Sequence, residues 1–519
     1  MTLVIAGERS GVGKTTVTLA LLAALARCHP GQVQTFKVGP DYIDPMFHQF
    51  VTGRPGRNLD PVLTSEAYVK WCFQKHSQTA NYALIEGVMG LFDGATGAHD
   101  WASTAHIARL LNLPILLVVN CSSTSRSLAA IVHGYTSFDR RLKFAGVVLN
   151  RVASDRHLEL LQAALAPLNI PILGVLRRQV EISIPDRHLG LIPTAELPQL
   201  HATIDRLAEI GAQNFDWSQL ESLLTAAELS GLTDDPTAMA TLPVERSPSA
   251  PPLRLGVARD RAFSFYYADN FDWLRAAGFE LVEWSPLSDR TLPEQICGLY
   301  FGGGFPEVFA AELSENGAVR QAVQAAIAAG MPTYAECGGL MYLCTHLIDF
   351  EVHSYPMVGS LPAIAQMGAR LTLGYRQATV QQATPLLTIG DVVWGHEFHH
   401  SRLDVHPEAP IFSLRNYDGT QSSTEGWRSP QLHASYLHLH FGDNWQCWRG
   451  GAIAVGNISK VALSAHIQDN YIPESEDERF LIKGLDSGAS HFGVTVPHSA
   501  SSRCASTFPN PCSQAGSGI

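Results

Sequence analysis

The chain has 519 residues, 46% hydrophobic and 16% charged, which is more than one typical core needs and predicts two or three globular domains. Its 36 basic and 48 acidic side chains give a net charge of -12, which argues against a nucleic-acid partner held by bulk charge. Nine cysteines without a CxxC pair favour reduced thiols in the cytoplasm, and we expect neither a signal peptide nor a membrane span.

The first 230 residues alternate short apolar runs with stretches of helical periodicity. The apolar runs are bounded by Gly, Asn or Pro and read MTLVIAG, YALIEG, LPILLVVN, FAGVVLN and PILGVL. Because these runs do not alternate apolar with polar residues, they are typical of parallel strands buried on both faces. Residues 1–230 are therefore predicted to form an α/β domain with a doubly wound parallel sheet.

A phosphate-binding loop is predicted near the N-terminus. LVIAGERSGVGKTTVTLALL is an apolar strand, a Gly-rich loop and a helix, in the order that a P-loop requires. Backbone N–H groups at the helix N-terminus favour an anion, and Lys14 and Thr15 are placed for the phosphates and for Mg²⁺. Five residues instead of four separate Gly7 from Gly13, and the alternative is a Gly-rich turn with a chance lysine. The candidate ATP-binding residues are Gly11, Gly13, Lys14, Thr15 and Thr16.

Carboxylates follow two further apolar runs of this domain. Glu86 ends YALIEG, and a carboxylate at the C-terminal edge of a strand would hold Mg²⁺ or its water. FKVGPDYIDP places Lys37, Asp41 and Asp44 at the end of another short strand. For Asp44, and for Asp93 in LFDG, helix capping or turn formation is an equal alternative.

Composition divides the rest of the chain. Residues 231–252 are rich in Pro, Ser and Thr without periodicity, which predicts a linker. A second α/β alternation begins at LRLGVARD, and residues 253–450 are predicted to form the second domain. Residues 473–519 lack a periodic apolar face and are rich in Ser, Pro and Gly, which predicts a disordered tail.

The second domain contains a candidate nucleophile, Cys337. MPTYAECGGLMYLC passes from a strand into a helix at this residue, and a helix N-terminus lowers the pKa of a thiol. The alternative, a core thiol, fits less well because glycines follow the cysteine. HASYLHLHF supplies His438 as the candidate general base, whereas His440 is more typical of a structural histidine. The candidate oxyanion-hole residues are Gly303 and Gly304 in YFGGGFPE, together with Gly338.

Eight segments of the chain carry a family resemblance. They read, in order, SGVGKTT, VGPDYIDP, RNLD, EGVMGLFDG, GGGFPE, AECGGLMYL, GHEFHHS and SYLHLHF. In this order they resemble the cobyrinate a,c-diamide synthases of the cobalamin pathway, which join a P-loop-like domain to an α/β class I glutamine amidotransferase domain. The related cobyric acid synthases share this plan but differ at EGVMGLFDG and AECGGLMYL.

The resemblance implies an ATP-dependent carbon-nitrogen ligase that takes its nitrogen from glutamine. ATP would phosphorylate a carboxylate of the corrinoid, Cys337 would release ammonia from glutamine through a thioester, and ammonia would attack the acyl phosphate. The a and c carboxylates would be amidated in turn. The family match places Lys37, Asp41 and Asp44 at the reacting carboxylate, and Thr15, Asp41 and Glu86 at Mg²⁺. It leaves open hydrogenobyrinate or nickel sirohydrochlorin as the substrate, and a homodimer as the assembly.

One position departs from the class I amidotransferases. Many of them have His-x-Glu, in which the Glu orients the catalytic His, whereas this chain has His440 at the third position. A Cys-His dyad, or an orienting group from elsewhere in the chain, must then suffice.

Two other functions compete with this interpretation. GHEFHHSRLDVH has the HExxH spacing of zinc proteases, with His396, Glu397 and His400 followed by His406. Such a three-histidine site needs Gly midway between the last two ligands, where this chain has Leu403, and the preceding LLTIGDVVWG predicts a strand and turn rather than a helix. A nucleotide-switched binding protein would need no Cys nucleophile, and glutamine-dependent ADP release would exclude it.

Overall fold

The structure is a computed structural model that describes residues 2–178, 186–187, 190–225 and 253–442. The predicted linker at 231–252, the end of the predicted second domain at 443–450 and the predicted tail at 473–519 lie outside the described residues, so these boundaries stay predictions. Among the described residues, no helix is both long and apolar enough to cross a membrane.

Seven parallel strands form the sheet of the N-terminal domain. They are β1 (Leu3–Gly7), β2 (Val33–Val38), β3 (Arg57–Leu59), β4 (Tyr82–Glu86), β5 (Pro114–Asn120), β6 (Lys143–Val152) and β7 (Ile172–Arg177). Their order across the sheet is β3-β2-β4-β1-β5-β6-β7, so β4 lies between β1 and β2, and β5, β6 and β7 follow on the other side of β1. In the parallel pair of β1 and β4, Ile5 lies beside Glu86, which places the loop after β1 close to that carboxylate.

Helices cover both faces of this sheet. They are α1 (Lys14–Cys28), α2 (Ile43–Thr52), α3 (Glu66–Ser77), α4 (Thr104–Leu110), α5 (Ser127–Phe138), α6 (Asp155–Leu165), α7 (Leu200–Asn214) and α8 (Trp217–Leu224). Short 3₁₀ helices span Ala166–Leu168 and Thr194–Glu196, and β8 (Asp186–Arg187) pairs with β9 (Gly190–Leu191). Val17 and Leu207 belong to the core on one face, and Phe73 and Val132 belong to the core on the other. The doubly wound α/β fold is thereby confirmed.

The C-terminal domain is built around a six-stranded, mostly parallel sheet. Its strands are β10 (Leu253–Ala258), β11 (Phe279–Trp284), β12 (Ile296–Phe301), β13 (Thr333–Glu336), β20 (Trp427–Ser429) and β21 (Leu432–Ser435). Their order is β11-β10-β12-β13-β21-β20. The helices of this domain are α9 (Ala268–Ala276), α10 (Ala310–Glu315), α11 (Gly317–Ala328) and α12 (Gly338–Leu343). The predicted second α/β domain is confirmed, with β13 in the interior of its sheet.

The C-terminal domain contains a second sheet of seven strands. Its strands are β14 (Cys344–Ile348), β15 (Ser354–Pro356), β16 (Leu361–Val380), β17 (Val392–Leu403), β18 (Phe412–Asn416), β19 (Ser422–Glu425) and β22 (His438–Leu439). The main path runs β15-β14-β16-β17-β22, and β18 joins β16 to β19. Strands β17 and β22 pair with His396 opposite His438, so the candidate general base belongs to this sheet.

The HExxH segment lies on a strand, as its sequence predicted. His396, Glu397 and His400 all belong to β17, where four residues span roughly 13 Å at the rise of a β-strand. Two histidines so far apart along the strand cannot bind one zinc ion, whose bonds to nitrogen are about 2 Å long. Within the described ranges, neither His396 nor His400 belongs to a cluster that could hold a metal, which argues against the zinc-protease interpretation.

Buried polar contacts join the two domains. Arg57 Nη1 lies 2.6 Å from Asp269 Oδ1, and these side chains are 7% and 4% exposed. Tyr375 donates a hydrogen bond to Asp60 Oδ2 at 2.8 Å. Charged groups buried at an interface hold it in one geometry because a displaced partner would leave an uncompensated charge.

Arg57→Met is expected to lower the free energy of unfolding by about 3–5 kcal/mol, because the Asp269 carboxylate would remain buried without its cation. Burial raises the pKa of Asp269, but hydrogen bonding to His440 and the charge of Arg57 outweigh it and hold the pKa below its usual range. A lowered carboxyl pKa contributes stability that is present at neutral pH and is lost as the pH falls. Urea unfolding, followed by tryptophan fluorescence, should therefore separate variant and wild type at pH 7 and less so below about pH 4.

The matched control for this prediction is Arg206→Met. Arg206 lies 3.0 Å from Glu209 on the exposed side of α7, and an exposed pair contributes about 1 kcal/mol or less. An equal loss of stability in the two variants would contradict the role of the buried pair.

Candidate active site

The predicted P-loop connects β1 to α1. Gly11 and Gly13 have φ values of 74° and 95°, in the left-handed region that favours glycine. A Cβ on Gly13 would also lie 2.3 Å from Asn150 Nδ2, so only glycine fits there. The structure thus brings the predicted nucleotide residues into one turn at the start of a helix. They are Gly11, Gly13, Lys14, Thr15 and Thr16.

Lys14 is buried at the start of α1, and its Nζ donates to the Met89 carbonyl at 2.5 Å. Burial and the positive charge of Lys37 lower the pKa of Lys14 to about 8. A phosphate beside this amine would favour its charged form and raise the pKa again. The site therefore favours an anionic ligand.

A buried cluster of charged side chains lies next to the P-loop. Thr15 Oγ1 donates to Glu86 Oε1 at 2.8 Å and lies 3.5 Å from Asp44 Oδ1. Lys37 Nζ lies 2.6 Å from Asp44 Oδ2 and 3.4 Å from Glu86 Oε1. His48 Nε2 lies 2.7 Å from Glu86 Oε2. Two carboxylates and a hydroxyl converge here, and hard oxygen ligands of this kind fit Mg²⁺.

The pKa values of the two carboxylates in this cluster shift in opposite directions, although burial raises both. Burial and the charge of Glu86 raise the pKa of Asp44. Burial also opposes ionisation of Glu86, but Lys37 and the hydrogen bonds from His48 and Thr15 outweigh it, so the pKa of Glu86 is lowered. A divalent cation beside Asp44 would favour its charged form, which is a further reason why the residues fit Mg²⁺.

Two other aspartates have local structural roles. Asp41 Oδ1 accepts hydrogen bonds from the Ile43 and Asp44 N–H groups at 2.7 and 3.2 Å, so Asp41, rather than Asp44, caps α2. Asp93 Oδ2 accepts from the Gly90 N–H at 2.9 Å and closes a turn. The metal role predicted for Asp41 therefore depends on its second oxygen and stays a prediction.

Cys337 forms the junction between β13 and α12. Its φ of 46° and ψ of -100° are a strained conformation for a residue with a Cβ. The side chain is 5% exposed, and the Cys337 N–H donates to the Ser435 carbonyl at 2.7 Å. Strain of this kind is common where a nucleophile is presented on a sharp turn.

The predicted oxyanion-hole glycines meet at this turn. The Gly303 carbonyl accepts from the N–H groups of Ser264 and Phe265 at 3.1 Å each. Since the C=O and N–H of one peptide unit point in opposite directions, the Gly304 N–H faces the other side. Gly304 N would lie 3.0 Å from a Cβ on Gly338, so the two backbones are adjacent.

His438 is buried beside Cys337 and Glu336. Its Nδ1 lies 3.7 Å from Glu336 Oε2. Burial lowers the pKa of His438, but interactions with Cys337 and then with Glu336 outweigh it and raise the pKa to about 10. His440 Nε2, in contrast, lies 3.4 Å from Asp269 Oδ2, in the contact between the domains.

A cavity of about 510 Å³ lies between the two domains. Asp41, Tyr42 and Asp44 line it from the N-terminal domain, and Tyr375 and His396 line it from the C-terminal domain. The Tyr42 ring lies 5.2 Å from the His438 ring, between ring centroids. The cavity is therefore bordered by the charged cluster and lies one side chain away from the candidate general base.

Comparison with known proteins identifies the family. Residues 3–192 match the CobQ/CobB/MinD/ParA nucleotide binding domain, and residues 254–445 match the CobB/CobQ-like glutamine amidotransferase domain. The cobyrinate a,c-diamide synthase of a Synechococcus strain is 67% identical over 442 residues, which cover 85% of this chain and 95% of that protein. The chain belongs to the cobyrinate a,c-diamide synthase family. ATP and glutamine fit this family as co-substrates.

The chain is also similar to a second curated relative and, more weakly, to solved structures. The hydrogenobyrinate a,c-diamide synthase of Streptomyces coelicolor is 43% identical over 470 residues, which cover 85% of this chain and 94% of that protein. Among solved structures, PurLQS from Thermotoga maritima covers 40% of this chain and 99% of its own, with 14% identity and a TM-score of 0.29. A score this low carries no argument about fold or function.

Sequence reasoning missed one side chain of the buried cluster in this cobyrinate a,c-diamide synthase family member. His48 bonds to Glu86, and it follows Asp44 by four residues on α2. Residues four apart share a helix face, so the spacing could have placed His48 beside Asp44. It could not have shown that this face meets the end of β4.

Gly303→Ala is expected to reduce glutamine-dependent activity by about 10²-fold or more, because displacing a reacting group by an ångström has an effect of that size. The new Cβ would lie 2.4 Å from His438 Cε1 and 3.3 Å from its Nε2, so the ring must move. Rates with glutamine and with ammonia should be compared. The control is Gly317→Ala, whose Cβ would meet only Arg320 Nη2 at 3.7 Å. Equal losses with both nitrogen donors would point to a general defect instead.

Proposed function

We propose that the protein catalyses the ATP- and glutamine-dependent amidation of the a and c carboxylates of cobyrinic acid. One observation carries the proposal: the cavity between the domains is lined by Asp41, Tyr42 and Asp44, and the Tyr42 ring separates it from His438. A carboxylate in this cavity would be within reach of the P-loop cluster and of ammonia from the Cys337 turn. The volume and the largely aromatic and apolar wall suit the edge of a large ring.

The N-terminal domain would activate the carboxylate. The P-loop N–H groups and Lys14 would hold the phosphates of ATP, so that a carboxylate oxygen attacks the γ-phosphorus and ADP leaves. Mg²⁺ bound to oxygens of Thr15, Asp44 and Glu86 would supply positive charge to the phosphates. Lys37 lies between Asp44 and Glu86, and its positive charge would offset the negative charge of the reacting groups. The product of this step is an acyl phosphate.

The C-terminal domain would supply ammonia. The Cys337 thiolate would attack the amide carbon of glutamine, and the N–H groups of Gly304 and Gly338 would stabilise the oxyanion. His438 would give a proton to the leaving ammonia, and water would then hydrolyse the thioester to glutamate. Gly303 would permit the close approach of His438. Ammonia would attack the acyl phosphate, release phosphate and leave an amide, and the second carboxylate would follow.

The test is product mass after incubation with cobyrinic acid, ATP, Mg²⁺ and either glutamine or ammonia. Two successive carboxyl-to-amide changes, each accompanied by one ADP, are expected with both nitrogen donors. Parallel reactions with hydrogenobyrinic acid and nickel sirohydrochlorin test the substrate, because the Streptomyces coelicolor relative is named for hydrogenobyrinate. ATP turnover without amidation of any of the three macrocycles would contradict the proposal.

A further inference from the structure

We propose that Glu336, the residue immediately before the nucleophile, orients His438 and stabilises its charged form. The inference rests on the proposed glutaminase roles of Cys337 and His438. Glu336 would take the place of the Glu in the His-x-Glu motif of other class I amidotransferases. In this chain the third position of that motif is His440. His440 has no carboxylate, and its side chain lies against Asp269 and the rings of Tyr68 and Tyr267.

The carboxylate of Glu336 faces the correct nitrogen. Its Oε2 lies 3.7 Å from His438 Nδ1, and the two side chains are 2% and 1% exposed. Within the part of the chain that the structure describes, Nδ1 has no hydrogen-bond partner at normal distance. A carboxylate at this place favours the tautomer with the proton on Nδ1, which leaves Nε2 to exchange a proton with the thiol.

The carboxylate is itself held in position. Glu336 Oε1 accepts hydrogen bonds from Tyr334 Oη at 2.5 Å and from the Leu439 N–H at 3.0 Å. Tyr300 Oη lies 3.5 Å from Oε2. Leu439 directly follows His438, so the carboxylate that faces the His438 ring is also hydrogen-bonded to the backbone next to that ring. A buried acidic group with three donors around it is preorganised rather than free to move.

The other groups that face His438 do not provide the same charge. They are the Cys337 thiol, the Tyr42 ring at 5.2 Å and His396, which pairs with His438 across β17 and β22. Burial and the charge of His438 lower the pKa of His396 to about 3, so His396 is neutral at pH 7. Among the described groups that face His438, Glu336 therefore supplies the carboxylate that stabilises the imidazolium.

The test compares Glu336→Gln with wild type, using glutamine and ammonia as alternative nitrogen donors. The glutamine-dependent kcat should fall by about 10²-fold, within the range of general acid-base catalysis, whereas the ammonia-dependent rate should stay within about twofold. Without the carboxylate the pKa of His438 falls, so its imidazolium is lost at lower pH. The alkaline limb of the glutaminase pH profile should therefore move to lower pH, a shift that a purely structural role would not produce.

The matched control is Glu425→Gln. Burial and the charge of Glu397 raise the pKa of Glu425 to about 8, so this carboxyl is already largely neutral at pH 7, and its amide variant should keep wild-type rates there. If Glu336→Gln does not fold, Glu336→Asp provides the test, because it keeps the negative charge but moves it away from His438 by the length of one methylene. Glu336→Asp should slow only the glutamine-dependent reaction, and by a smaller factor than is expected for Glu336→Gln.

Three results would overturn the inference. They are a glutamine-dependent rate within threefold of wild type (about 0.65 kcal/mol), an alkaline limb that does not move, and equal losses with both nitrogen donors. If the wild-type protein does not hydrolyse glutamine, the proposed function is overturned as well. This result distinguishes a failure of the proposed function from a failure of the role of Glu336 alone.

Discussion

Cys337→Ser should abolish amidation with glutamine while amidation with ammonia continues at the wild-type rate. The serine hydroxyl is a far weaker nucleophile than a thiolate at neutral pH, and the loss of a catalytic nucleophile has cost up to about 10⁶-fold in a well-studied hydrolase. The substitution changes one atom at a buried turn, so the P-loop cluster in the other domain should remain intact. Product mass and ADP should be measured with each nitrogen donor.

The control for this variant is Cys344→Ser. Cys344 is fully buried at the start of β14, and its thiol donates to the Leu340 carbonyl at 3.4 Å. Burial raises the pKa of Cys344 to about 12, so it has no reactive thiolate at neutral pH, and its variant should retain both activities. Retained glutamine-dependent amidation in Cys337→Ser would remove Cys337 from the mechanism.

The features that the sequence predicted are those that lie close together along the chain. The P-loop, from Gly11 to Thr16, and the nucleophile turn at Cys337 are each a strand, a few small residues and a helix, and their chemistry depends on local backbone geometry. The parallel strands were predictable for the same reason, because burial on both faces produces uninterrupted apolar runs. These predictions needed no knowledge of how distant segments meet.

The features that the sequence did not predict depend on contacts between distant segments. His48 reaches Glu86 only because α2 packs over the end of β4, and Glu336 faces His438 only because β13 and β22 converge. The sequence did not identify Asp41 as the residue that caps α2 for another reason: Asp41 and Asp44 are three residues apart, and both are acceptable capping residues. Side-chain direction at the helix start, rather than residue type, decided between them.

The cavity explains why two sites of different chemistry share one chain. Ammonia that escapes to water at neutral pH becomes ammonium, which is not a nucleophile, so a short enclosed path favours the transfer. Tyr42 contacts the His438 ring and also lines the cavity with Asp41 and Asp44. The ion pair between Arg57 and Asp269 holds the domains together close to this region. The stability of the domain contact and the coupling of the two reactions are therefore expected to depend on the same packing.

Lys14→Met is expected to reduce amidation by about 10³-fold with glutamine and with ammonia alike, a loss typical of removing one group that stabilises transition-state charge. The contrast with Cys337→Ser is the decisive point, because only the activation of the carboxylate is shared by both nitrogen donors. ADP formation and product mass should be measured, with Lys143→Met at the exposed start of β6 as the control. Amidation with ammonia at the wild-type rate in Lys14→Met would contradict a role for the P-loop in activation.

The pH dependence of ATP binding gives the same prediction a second test. Burial and the charge of Lys37 lower the pKa of Lys14 to about 8, so the free protein carries the charged amine below that pH and loses it above. Bound phosphates favour the charged form, and binding above pH 8 must then take up a proton. The KM for ATP should rise as the pH passes about 8, and this rise should disappear in Lys14→Met, because a methionine has no proton to lose.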